Sequence, residues 1–140
     1  MLIKPLHSNF IMPVKGTQQA GAWDLFMPTD GVATIAAQLV PLGFSTALPV
    51  GYVGLMFPRS GVGAKRGLEL NNTCGVIDSD YRGEWKVSLR VKNSEDSFEW
   101  KAGERLVQVL IVPVMLADFI QTNELPESQR GAGGFGSTGG

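Results

Sequence analysis

One hundred and forty residues and 15.0 kDa fit one domain, since compact domains usually run to about 100–150 residues. With 12 Lys plus Arg against 13 Asp plus Glu, the chain as a whole has no basic field for stable nucleic-acid binding. One cysteine and one histidine exclude an internal disulfide and a Cys/His zinc site, so any metal would be a hard cation held by oxygen.

The opening MLIKPLHSNF lacks an apolar run long enough for a signal peptide. Residues 31–58 carry no charge, yet Pro41, Pro49, Pro58 and four glycines rule out a continuous bilayer helix. A soluble, intracellular and cytoplasmic protein with a reduced thiol and no membrane partner is expected. Val40, Leu42, Phe44 and Thr46 alternate ahead of Pro49-Val50-Gly51, predicting a strand and a turn. A helix of one or two turns follows Ser60, with Ser60 as N-cap, Lys65 and Arg66 at the negative end and Gly67 just past it. Over residues 84–92, Trp85, Val87, Leu89 and Val91 take one face and Glu84, Lys86, Ser88, Arg90 and Lys92 the other, the pattern of a half-buried strand. Turn chemistry at residues 93–96 and renewed alternation over 97–100 predict a hairpin. Residues 106–112, apolar except for Gln108, predict a strand buried on both faces. The fold class is all-β, a sandwich or jelly roll with one short helix. Residues 113–129 show no firm pattern, and the glycine-rich end RGAGGFGSTGG cannot pack a core of its own.

That tail offers the first candidate chemistry. Gly131, Gly133 and Gly136 match a dinucleotide-binding spacing, but no crossover helix or second strand follows. What remains is close backbone approach at the glycines, hydroxyl donors on Ser137 and Thr138, a phosphate fork on Arg130 and a ring, Phe135, that can lie on a base. The alternative is a solvated tail. Arg59, Ser60 and Gly61 at a helix start read as an anion cradle or as an ordinary capped turn. Asp78 and Asp80, after apolar Val76-Ile77, share a face if the backbone is extended. At least one carboxylate then belongs at a pocket rim, where an ionised Asp serves as general base toward water. Gln108 is a polar group in a core strand, either structurally satisfied or aimed at a ligand's oxygens. Cys74 reads as a small buried hydrophobe, His7 as surface or packing, and Trp23, Trp85 and Trp100 as core or interface.

In order along the chain, these segments resemble the five motifs of the trimeric deoxyuridine triphosphatase (dUTPase) family. The first is Gly21-Ala22-Trp23-Asp24-Leu25, departing with Ala22 for a usual glycine and Trp23 for a common tyrosine or phenylalanine. Pro58-Arg59-Ser60-Gly61 through Lys65 and Gly67 resembles the second, and Asn72 through Gly75-Val76-Ile77-Asp78-Ser79-Asp80-Tyr81-Arg82-Gly83-Glu84 the third. Gly103-Glu104-Arg105-Leu106-Val107-Gln108 is similar to the fourth, with Glu104 for aspartate. Residues 130–139 resemble the fifth.

The resemblance implies a distorted jelly roll of the β-clip type, a homotrimer with exchanged C-terminal arms, and hydrolysis of dUTP to dUMP and pyrophosphate. Residues 1–129 would form the β domain with its arm, and residues 130–140 a lid donated across the trimer. Asp78 would activate the attacking water, with Asp80 structural. Tyr81 would stack under the deoxyribose and exclude a 2′-hydroxyl. Asn72, Gly75 and Ile77 would hold the uracil in a tight hairpin, covered by Phe135. Arg59, Ser60, Gly61, Gln108, Arg130, Ser137 and Thr138 would bind the phosphates. Mg2+ would be chelated by the triphosphate, with Asp24 at most a second-shell partner and no direct protein ligand. Three alternatives stand beside this reading: a dCTP deaminase on the same jelly roll, a non-catalytic trimer whose pocket switches a regulatory protein partner, and a structural jelly roll.

Overall fold

The computed structural model describes residues 1–93 and 96–134. In chain order the elements are β1 Leu2–Pro5, β2 Ala22–Phe26, β3 Gly31–Ala33, β4 Gln38–Pro41, β5 Phe44–Ala47, β6 Tyr52–Pro58, α1 Ser60–Arg66, β7 Leu68–Leu70, β8 Gly75–Ile77, β9 Lys86–Val91, β10 Phe98–Trp100 and β11 Arg105–Pro113. Four antiparallel sheets result, ordered β1-β5, β10-β3, β2-β11-β6-β8 and β4-β9-β7. A single buried cluster joins them. Leu25, Met56, Ile77, Val107 and Val109 come from the four-stranded sheet, and Val40, Leu68, Leu70, Val87, Leu89 and Val91 from the three-stranded one. Alternation explains the assignment: Val87, Leu89 and Val91 are buried while Lys86 faces water, as a strand with one solvated face requires.

The structure corrects several local expectations. The stretch from Val40 to Thr46 is two strands, broken at Gly43 with φ +79°. A left-handed residue cannot continue a ladder, and glycine takes that conformation at no steric cost. β9 and β10 do not pair; β9 lies between β4 and β7, whereas β10 pairs with β3. Alternation identifies strands without naming their neighbours. Of the turn expected at residues 93–96, Ser94 and Glu95 lie outside the described residues. The N-cap of α1 is Arg59 rather than Ser60, without a side-chain cap bond, while Gly67 closes the helix at φ 68° as expected. α1 buries no residue fully. It is held by Val62 against the core and by Arg66, whose guanidinium lies 3.8 Å from the Phe98 ring centre.

β11 is hydrogen-bonded on both sides, to β2 and β6. Leu106, Val107 and Val109 are buried and the strand becomes half-buried from Leu110 onward. Beyond it, residues 114–134 form no strand or helix. Met115, Phe119, Ile120 and Leu125 are almost wholly exposed, a run of apolar side chains that nothing among the described residues covers. Among the described residues, no helix is long and apolar enough to cross a membrane.

Trp85 keys the core. It is 1% exposed, its ring centre lies 5.1 Å from that of Phe44, and its indole N–H donates to Thr46 Oγ1 at 3.1 Å. Trp85→Ala removes the ring and leaves the Thr46 hydroxyl without its donor, so denaturant unfolding is expected to show a loss of about 3–5 kcal/mol.

Candidate active site

Two groups of chemically able side chains form at separate places on the four-stranded sheet. The first is built around Asp24 on edge strand β2. In register, Asp24 faces Gln108 on β11, which in turn faces Phe57 on β6. The β11–β2 register shifts between Arg105 and Val107, and a bulge of this kind re-aims the side chain beside it. Arg105 Nη1 thereby reaches Asp24 Oδ2 at 3.2 Å, while Arg59 Nε meets Oδ1 at 2.8 Å. Asp24 is 7% exposed, and two guanidinium groups compensate its carboxylate. Arg59 is further tied by its backbone N–H to the Leu106 carbonyl at 2.8 Å and by Nη1 to the Arg105 carbonyl at 3.3 Å.

Gln108 donates one amide hydrogen from Nε2 to the Pro58 carbonyl at 3.0 Å. An amide nitrogen carries two N–H donors, so a second stays available. Ser60 and Gly61 open α1, are exposed, and contribute amides that have no acceptor within the helix. The result is a net positive corner: two arginines against one carboxylate, beside amide donors. Such a corner suits a polyanion. Arg105 was not singled out from the sequence. An arginine three residues before the odd glutamine of an apolar strand was the available signal.

The second group lies along residues 71–81. β7 and β8 are joined by a tight turn yet hydrogen-bond to different neighbours, β9 and β6, so the expected hairpin is a corner between two sheets. Asn72 Nδ2 donates to the Cys74 carbonyl at 3.1 Å, and the Cys74 N–H returns to the Asn72 carbonyl at 2.6 Å. The residue between them, Thr73, has φ 64°. A β-branched residue there is strained. Cys74 is half-buried rather than buried, its Sγ 3.5 Å from the Gly75 carbonyl. Gly75 packs so closely on Met56 that a Cβ would lie 2.7 Å from the Met56 Cε. Ile77 is buried and ends β8.

Asp78 and Asp80 are exposed but not on one extended face. The Tyr81 N–H donates to the Asp78 carbonyl at 3.2 Å, closing a turn that separates the two carboxylates. Asp78 and Tyr81 line a cavity of about 400 Å³ with Leu39, Val76, Ile77 and Lys86. Tyr81 donates its hydroxyl to the Glu84 carbonyl at 3.0 Å. Lys86, the outward residue opening β9, was not anticipated at this site; its alternation with buried Val87 was the signal.

In this chain the two groups stay apart. Continuing the β6–β8 register puts Asp78 opposite Val53, six residues along β6 from Arg59, or roughly 20 Å at the usual rise. Asp24 itself lies at the far edge in the order β2-β11-β6-β8, about 14 Å across three strand spacings, with Arg105 on β11 and Arg59 just past β6 in between. The two oxygens of Asp24 are each met by one guanidinium group, and a carboxylate keeps lone pairs for a further donor. Arg130 turns back on its own segment, Nε to the Gly133 carbonyl at 2.7 Å. Phe135, Ser137 and Thr138 lie outside the described residues.

Relieving the Thr73 strain is expected to outweigh glycine's added unfolded-state entropy. Thr73→Gly should therefore raise the stability measured by denaturant unfolding by about 1 kcal/mol.

Comparison with known proteins agrees with these motifs. The chain is 41% identical over 138 residues to a deoxyuridine 5'-triphosphate nucleotidohydrolase of Nautilia profundicola, covering 98% of this chain and 96% of that protein. It is 48% identical over 138 residues to the protein of the same name from Corynebacterium diphtheriae, covering 98% and 91%. A solved structure of the Staphylococcus bacteriophage 80alpha dUTPase with dUPNHPP superimposes with a TM-score of 0.87 at 26% identity, covering 99% of this chain and 97% of that one. The family model described as dUTPase matches residues 8–139, and the chain belongs to the dUTPase family.

Proposed function

We propose that this protein hydrolyses dUTP to dUMP and pyrophosphate, limiting uracil entry into DNA and supplying dUMP for thymidylate synthesis. The observation that carries the reading is the position of Asp78. It is an exposed carboxylate just past β8, in a cavity shared with Tyr81, within a chain that matches the family along nearly its whole length. Asp78 would take a proton from a water as that water's oxygen bonds to the α-phosphorus. The bond from phosphorus to the bridging oxygen breaks in line, and pyrophosphate leaves. Catalysis of this kind is mostly positioning and charge stabilisation.

The other side chains divide by chemistry. Asn72, Gly75 and Ile77 would bound the uracil, and Tyr81 would pack against the deoxyribose. Arg59, Ser60, Gly61 and Gln108 would receive the phosphates, with Arg59 pre-aimed by Asp24. Residues 130–140 would form the lid on a β domain of residues 1–129, with Arg130, Ser137 and Thr138 over the phosphates and Phe135 over the base. Among the described residues, no three His, Cys, Asp or Glu side chains gather to hold a metal, and both Asp24 oxygens are engaged by guanidinium groups. The side chains do not fit a resident ion. Mg2+ would arrive as part of the substrate, chelated by the triphosphate and water.

A homotrimer completes this reading. The distance between Asp78 and the Arg59 corner exceeds what one triphosphate bridges, so the base half from one copy would meet the phosphate half of another. The apolar arm after β11 supports the same assembly. Its uncovered Met115, Phe119, Ile120 and Leu125 suit burial against a neighbouring copy.

Asp78→Asn keeps the size and loses the base. It is expected to leave binding of a non-hydrolysable dUTP analogue within about twofold and to cut turnover by ~10²–10⁴. Pyrophosphate release from dUTP, with ammonia release from dCTP as the control for a deaminase, is the assay. Single-turnover hydrolysis at the unaltered rate would contradict the assignment.

A further inference from the structure

Tyr81 is held from outside the set of residues that would touch the nucleotide. Its hydroxyl donates to the Glu84 carbonyl at 3.0 Å, and its ring tip lies so close to Gly83 that a Cβ there would collide with the hydroxyl. The Glu84 side chain extends the other way. Its Oε1 accepts the Gly43 N–H at 3.0 Å and lies 3.3 Å from His7 Nε2. Gly43 presents that N–H because its backbone is left-handed, at φ +79°, and its own carbonyl accepts the Leu6 N–H at 2.8 Å. The bonds from the Leu42 N–H to the Trp85 carbonyl and from the Trp85 N–H to the Phe44 carbonyl, both 2.9 Å, lock the two segments together on either side. One half-buried carboxylate therefore connects the N-terminal segment, the β4–β5 break and the tyrosine.

We propose that Glu84, clasped by Gly43 and His7, is a positioning residue for Tyr81 and sets how strictly the site rejects a ribonucleotide. The proposal rests on the reading that Tyr81 packs against the deoxyribose. Excluding a 2′-hydroxyl by contact requires the ring to be fixed within a fraction of an ångström, because a pocket that yields admits the larger sugar. Among the described residues, the Tyr81 side chain hydrogen-bonds to the Glu84 carbonyl alone; its hydroxyl is referenced to a residue whose carboxylate supplies the tie. Releasing that tie leaves Asp78 and the phosphate corner untouched and lets the ring drift.

The experiment compares kcat/KM for dUTP and UTP in the full-length protein. Glu84→Ala is expected to lower the dUTP preference about tenfold, mainly through an improved KM for UTP. Glu84→Gln keeps an oxygen acceptor for the Gly43 N–H and is expected to restore the preference to within about twofold. His7→Ala removes an exposed ring, leaves folding intact and should lower the preference by a smaller factor, which keeps the test open if Glu84→Ala fails to fold. Tyr81→Ala separates the two levels. If it abolishes the preference while Glu84→Ala and His7→Ala leave it unchanged, the clasp is overturned and the sugar contact stands. If Tyr81→Ala itself leaves the preference unchanged, the sugar contact falls and the proposal falls with it.

Discussion

The buried charge at Asp24 is the constraint on which the site depends. A carboxylate at 7% exposure has its two oxygens met by Arg59 and Arg105, and the same pairing fixes both arginines near Gln108, the register partner of Asp24. A guanidinium holds its charge at every accessible pH, so the corner keeps a surplus positive charge without a metal. The β11 bulge is what allows Arg105 to participate, since a regular ladder would shift the strand's remaining residues by one position against β2. Under the proposed function, phosphate affinity would begin with backbone register.

The second consequence of that register is separation. Arg59 lies six residues along β6 from the position opposite Asp78, so under the proposed function the charge that would hold phosphates and the carboxylate that would activate water serve one nucleotide from different copies. The uncovered apolar arm after β11 would supply surface for their association. The low charged fraction of 18%, against about 25% in an average soluble protein, agrees with surface reserved for contact. A domain that leaves part of its apolar surface for its neighbours couples its stability to its assembly.

Much of this was legible from local pattern. The buried alternation of Val87, Leu89 and Val91, the Gly67 helix stop and the polar Gln108 in an apolar strand all follow from period and chemistry along the chain. Asp78 and Arg59 were legible as candidates for the same reason, and Tyr81 through the resemblance of its motif. Pairing was not. The neighbours of β9, the break at Gly43 and the corner between β7 and β8 are decided by contacts between residues far apart in sequence, which a two-residue period does not encode. The partners of Asp24 lie 35 and 81 residues away, so its pairing with two arginines could not be read along the chain. Glu84 escaped notice likewise, because its role depends on Gly43 and His7, distant along the chain and adjacent in space.

The most direct measurement of the shared site is complementation between two inactive variants, Asp78→Asn and Arg59→Ala, unfolded together and refolded as a 1:1 mixture. With each site drawing its carboxylate from one copy and its arginine corner from another, random assembly regenerates about a quarter of the sites in intact form. The account predicts dUTP hydrolysis at that fraction of the unmodified rate. A mixture as inactive as its two components would mean that each site lies within a single chain, and the account would be wrong.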